Sequence, residues 1–129
     1  MLSLSNTNKN SIIISTPVVL LTLVFITLIR IYTLFVSPIE LSVDEAQYWH
    51  WSQNLDFGYF TKPPFIAWTI GLSTKLFGNE EWAVRLFSPI IHFFISIILW
   101  ITTQFAFGYK AGRIAALLWI FTPAASLGS

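Results

Sequence analysis

Apolar residues run almost unbroken from Ile12 to Val36, from Leu86 to Phe107 and from Ala111 to the end of the chain, and every acidic position falls between the first two runs. A helix rising about 1.5 Å per residue needs about 20 apolar residues to cross roughly 30 Å of hydrocarbon, so the first run has turns to spare and the second fits closely. The pattern predicts transmembrane helices at 12–36 and 86–107 and the start of a third at 114–129, which stops before any polar tail completes it. Residues 1–11 then form a polar tail and 108–113 a turn. On this reading the chain is the N-terminal part of a longer protein or a truncated product. The first run reads as a retained anchor. Its apolar core exceeds the roughly 7 to 15 residues of a secretory signal, and Ser37-Pro38-Ile39-Glu40 follows it where a small-x-small cleavage site would stand.

The intervening segment, 37–85, carries helical signals of its own. Ser42-Val43-Asp44-Glu45 has the spacing of a capping box, in which the serine hydroxyl and the glutamate carboxylate satisfy free N–H groups at a helix start. A helix from about Val43 to Leu55 follows. On it Asp44, Tyr48, Trp51 and Leu55 share one face, and Glu45, Trp49 and Ser52 a neighbouring one, so the two acids diverge. Asp56-Phe57-Gly58 ends that helix. Lys62, before a proline, is biased towards extended backbone, and Pro63-Pro64 suits the first turn of a second helix reaching about Phe77, with Gly78 as its stop. Thr69, Ser73 and Thr74 leave that helix a narrow polar strip, which predicts an interfacial helix burying its apolar sides in lipid or against the spans. Asn79 is placed to cap the next helix, Glu81 to pair with Arg85 at i, i+4, and Pro89 to kink the second span. The expected architecture is all-α: polytopic transmembrane helices, about three in this stretch, with two amphipathic juxtamembrane helices in the first external loop.

Composition sharpens the class. Hydrophobic residues make up 55% of the 129 and charged residues 10%, against about 25% charged in soluble domains, which points to an integral membrane protein. The net charge of +1 and the dispersion of the basic residues set nucleic acid aside as a partner. With no cysteine there is no disulfide, thiol nucleophile or thiolate metal site. Lys110 and Arg113, with no acid beside them, mark 108–113 as cytoplasmic, and Lys9 agrees. Two spans lie between these sites, so 37–85 is expected on the periplasmic or exterior face of the inner (plasma) membrane.

On that face stand the acid pair Asp44-Glu45, the cluster Tyr48-Trp49-His50-Trp51, and the run Gly58-Tyr59-Phe60-Thr61-Lys62-Pro63-Pro64. These are materials for handling a polar group on a lipid. Together with Trp82-Ala83-Val84-Arg85-Leu86 at the start of the second span, they resemble the first external loop of the GT-C glycosyltransferases. Within these the chain is most similar to the polyprenyl-phosphate-sugar-dependent branch of protein O-mannosyltransferases and lipid A aminoarabinose transferases. The similarity covers essentially the whole chain, and members of the branch are several times longer, so this stretch is expected to be inactive alone.

The resemblance implies an inverting transfer of a sugar from a polyprenyl-phosphate-linked donor to a lipid, glycan or protein acceptor at the external face. A carboxylate orients or deprotonates the acceptor, and a cation stabilises the departing phosphate. Asp44 matches the catalytic acidic position, and Lys62 matches a lysine that contacts the lipid phosphate in the aminoarabinose branch. Tyr59 is a candidate lining residue of the phosphate site, and Glu45 and Arg85 complete the candidate substrate-binding set. No cofactor follows firmly; a divalent cation held by Asp44 and Glu45 is left open. Gln47 stands where the aminoarabinose transferases place an arginine, which weakens the case for lipid A modification and leaves the acceptor open.

Plainer roles compete with these. Asp44 could serve only the helix start, but the matched motif favours catalysis. For Glu45 capping is the stronger reading, and for Arg85 an ion pair and snorkelling. Lys62 could simply reach for headgroups. His50 reads as an interfacial polar residue, Trp49, Trp51, Trp68 and Trp82 as a membrane belt, and Arg30 as reaching the interface or an acid there. The alternative function is a non-catalytic membrane protein, either a transporter subunit or an assembly factor.

Overall fold

The computed structural model describes residues 15–36, 39–59 and 63–122, and among these it is helical with no strand. The helices are α1 (Thr16–Val36), α2 (Val43–Ser52), α3 (Phe65–Phe77), α4 (Glu81–Arg85), α5 (Phe87–Phe107) and α6 (Tyr109–Phe121). Two units are long and apolar enough to cross a membrane: α1, with 21 residues, and α4–α5 together, with 27 from Glu81 to Phe107.

The long helices pack along stripes four residues apart. Val19 and Leu23 of α1 meet Trp100 of α5 and Ala116 and Ile120 of α6 in one buried cluster, with Ile26, Phe93, Ile97 and Leu117 around it. Their other faces remain apolar and uncovered, as at Leu21, Phe25 and Leu28, which suits contact with lipid. Helices in lipid approach closely only across small residues. Gly112 serves this purpose on α6: a Cβ there would lie 2.7 Å from the Trp100 carbonyl oxygen. Arg113 donates to the Thr16 hydroxyl at 2.8 Å, which joins the starts of α6 and α1.

Several sequence expectations change here. The turn over 108–113 contracts to Gly108 alone, whose φ of +88° makes the reversal, so Lys110 and Arg113 belong to α6. The span expected from 86 is one continuous apolar unit interrupted at Leu86, between α4 and α5. Pro89 accounts for the interruption: it has no N–H for the Arg85 carbonyl, and its ring crowds that oxygen. The helix expected to reach Leu55 stops at Ser52.

At one end of the bundle, α2, α3 and α4 form a cap. Gly71 of α3 lets α2 approach, its missing Cβ falling 3.1 Å from the Ser52 carbonyl oxygen. The polar strip of α3 turns towards the protein: Ser73 and Thr74 are buried while Phe65, Leu72, Leu76 and Phe77 are exposed. The Ser73 hydroxyl donates to the Ala83 carbonyl at 2.6 Å and Thr74 to that of Ile70 at 2.9 Å. This arrangement has a simple cause. Small hydroxyl residues permit close packing and satisfy themselves on backbone oxygens, whereas large apolar residues lose nothing by facing hydrocarbon. Gly78, at φ +91°, ends α3 as expected. Asn79 does not cap the next helix; its side-chain oxygen accepts from the Trp49 indole at 3.2 Å, and Glu80 takes the cap position.

Candidate active site

A cavity of about 910 Å³ opens where the end of α1, the 39–42 linker, α2, α3 and the α4–α5 junction meet. Its polar walls include Glu40, Ser42, Asp44, Glu45, Tyr48, Thr69, Arg85, Ser88 and His92, and Ile39, Phe65, Ile66 and Ile91 supply apolar ones. A site that mixes polar and apolar walls suits an amphiphilic ligand.

The capping box forms as the spacing predicts. Ser42 Oγ accepts from the Glu45 N–H at 3.3 Å, and Glu45 Oε2 accepts from the Ser42 N–H at 2.7 Å. Glu45 does more than cap. Arg85 Nε reaches its Oε1 at 2.7 Å and Nη2 its Oε2 at 2.8 Å, a bidentate pair. The same guanidinium donates from Nη1 to the Ile39 carbonyl at 2.9 Å and from Nη2 to that of Glu40 at 3.0 Å. Arg85 therefore binds Glu45 in place of the expected Glu81, because this partner is bidentate and the guanidinium can also bind two linker carbonyls. The hydrogen bonds from Arg85 hold the Glu45 carboxyl down to about 2, well below its ordinary value, against an opposing push from burial.

This fastening determines where Asp44 stands. One residue earlier in the first turn of α2, it lines the same cavity from an exposed position. The acids diverge as helical spacing requires, Glu45 into the Arg85 clamp and Asp44 onto the cavity wall. Tyr48, one turn on, lines it too.

Tyr59 is placed elsewhere. Its ring stacks on Trp51 with centroids 4.8 Å apart and planes 8° apart. Its hydroxyl sits 3.0 Å from the Trp51 carbonyl and 3.1 Å from that of Asn54, and accepts from the Asp56 N–H at 3.2 Å. These contacts close the end of α2 and explain why the helix stops before Leu55. Lys62, with Phe60 and Thr61 of the same motif, lies outside the described residues. The structure thus brings Asp44, Glu45 and Arg85 to one cavity and sets Tyr59 to one side of it. The indoles also do more than form a belt: Trp49 donates to Asn79, and Trp68 to the Asp56 carbonyl at 2.9 Å. Among the described residues no three His, Asp or Glu side chains gather as a metal site, and both Glu45 oxygens are bound to Arg85.

Two groups that sequence reasoning passed over or misdirected belong to this region. His92, on α5, lines the cavity. Arg30, on α1, expected at the interface or on an acid there, donates from Nη2 to the Ile120 carbonyl at 2.6 Å, in the last turn of α6. Carbonyls at a helix end lack partners within the helix, and Pro123 in the following sequence has no N–H to offer, so a cation there is well used. The polar character of both residues within an apolar run was the available signal.

Residues 61–129 match the family described as dolichyl-phosphate-mannose-protein mannosyltransferase. Among curated proteins, the lipid A galacturonosyltransferase RgtD of Rhizobium johnstonii is 40% identical over 104 residues, which is 80% of this chain and 22% of that protein. The chain therefore spans about a fifth of the length of this relative. No solved structure matches it.

Proposed function

Since the chain belongs to the dolichyl-phosphate-mannose-protein mannosyltransferase family, a GT-C glycosyltransferase family, we propose that the protein containing it transfers a sugar from a polyprenyl-phosphate donor to an acceptor hydroxyl or phosphate at the external face of the membrane. The observation that carries this reading is the position of Asp44: on the cavity wall, exposed, in a turn clamped by the Glu45–Arg85 pair. The acceptor oxygen attacks the anomeric carbon from the face opposite the leaving group; a hydroxyl acceptor passes its proton to Asp44, and an ionised phosphate acceptor has none to pass. The bond from that carbon to the phosphate oxygen breaks, and the phosphate departs on the polyprenyl chain, inverting the sugar. Lys62 is the countercharge for that phosphate. The Glu45–Arg85 pair is a positioning device, holding the acid-bearing turn against the start of the second span.

The relative's name supports a uronic acid as the sugar and lipid A as the acceptor. The test is Asp44→Asn in the full-length protein, with transfer from radiolabelled polyprenyl-phosphate sugars as the readout. Loss of about 10²- to 10⁴-fold in rate with normal membrane insertion is expected, the scale of a general base. Unchanged turnover would remove Asp44 from the chemistry.

A further inference from the structure

Three polar groups on three helices are linked to the cavity, one through its lining and two through their neighbours. Arg30 of α1 lies one turn along the helix from Thr33 and Leu34, which line the cavity, and His92 of α5 lines it directly. Trp119 of α6 packs edge-on against His92, ring centroids 6.2 Å apart and planes at 76°. Arg30 is joined to Ile120, the next residue to Trp119.

Each of the three keeps a buried nitrogen without a partner among the described residues: Arg30 Nη1, His92 Nδ1 and Trp119 Nε1. Leaving such atoms unpaired is costly in water-excluding surroundings, and an ionisable residue inside a span is by default a functional one. Arg30 and Trp119 can only donate, and His92 Nδ1 can donate. Buried donors beside a single fixed positive charge call for an acceptor-rich group of one negative charge.

We propose that Arg30, His92 and Trp119 form an oxyanion-binding subsite at the inner end of the cavity, which takes a singly charged group of the lipid-linked substrate. The inference rests on the sugar-transfer reading above. Two substrate groups have this chemistry, the phosphodiester that joins sugar to lipid and the carboxylate of a uronic sugar. Arg30 would serve twice, with Nη2 holding the end of α6 and Nη1 turned to the ligand.

The test is direct binding to the purified full-length protein of three probes: undecaprenyl phosphoryl hexose with a neutral sugar, the matching uronic acid ester, and undecaprenol. Because Arg30 also secures α6, Arg30→Gln can fail to fold, so Trp119→Phe, which keeps the ring and removes only the N–H, carries the comparison. Wild type is expected to bind both esters and not the alcohol, and Trp119→Phe to weaken the affected ester about tenfold, the scale of one hydrogen bond to a charged group. Equal weakening of both esters assigns the phosphodiester; weakening confined to the uronic ester assigns the carboxylate. Unchanged affinity for both in Trp119→Phe overturns the subsite and gives the three nitrogens to another part of the same protein. So does wild-type binding indifferent to charge. Wild-type binding without any transfer would instead refute the catalytic reading while leaving the subsite standing.

Discussion

Arg85 closes on Glu45 across 40 residues of sequence, and the pair joins the acid-bearing helix to the start of the second apolar span. The side chains keep 12% and 22% of their exposure, so the bond is shielded without being fully desolvated. This shielding lets the pair act as a fastener where a surface pair would contribute little. Its other bonds, to the Ile39 and Glu40 carbonyls and to the Ser42 N–H, draw the linker after α1 into the same knot.

Breaking the knot from either side should loosen α2. Arg85→Met leaves Glu45 shielded and two linker carbonyls without their donor, a loss of about 1 to 3 kcal/mol. Glu45→Gln keeps the shape and part of the bonding and should cost less. The expected order is wild type, then Glu45→Gln, then Arg85→Met in thermal unfolding of the detergent-purified full-length protein. A double variant that loses the sum of the two single effects would deny the coupling.

The same pair sets an acid limit. Glu45 gives up its proton more readily in the folded protein than its ordinary value of 4.5, down to about 2. Its contribution is complete above the unfolded value and drains away as pH falls from about 4.5 towards about 2. Protease sensitivity of the α2 segment should rise over that interval. In Arg85→Met the interval should narrow from the acid side, because the main cause of the depression is gone. An identical profile in both proteins would argue against the assignment.

How much of this was legible follows from the range of each interaction. The capping box, the face carrying Asp44 and the stop at Gly78 depend on neighbours within a turn, so spacing alone revealed them. Arg85 was misassigned to Glu81 because the local partner at i, i+4 is visible in a sequence and Glu45 is not. The strip Thr69, Ser73 and Thr74 is visible in the sequence, but that Ser73 and Thr74 are buried depends on which helices pack against it, which spacing does not carry. Arg30 was legible as an anomaly only, since its acceptor is a backbone oxygen 90 residues away and carries no residue signature.

Tyr59→Phe isolates the hydroxyl that ends α2. The ring can still stack on Trp51, while contacts to Trp51, Asn54 and Asp56 disappear. A loss of about 0.5 to 1.5 kcal/mol is expected, felt locally. Hydrogen exchange should quicken at 53–57 and stay unchanged in α5 and α6. Faster exchange throughout would mean that Tyr59 supports the whole bundle.

Gly112→Ala tests the closest helix approach. The added methyl would meet the Trp100 carbonyl oxygen at 2.7 Å and the Gln104 Cβ at 2.8 Å, and the backbone atom cannot swing aside as a side chain would. α5 and α6 must therefore separate, disturbing the Trp100–Ala116–Ile120 cluster and the Arg30 bond to Ile120 beyond it. Overpacking of this kind costs about 1 to 3 kcal/mol, and the expected result is a lower unfolding temperature of the full-length protein in detergent. The corresponding change at Gly71 meets the Ser52 carbonyl oxygen less closely, at 3.1 Å, and should cost less. If Gly112→Ala is tolerated as well as Gly71→Ala, the α5–α6 contact is not the tight joint that orders the bundle.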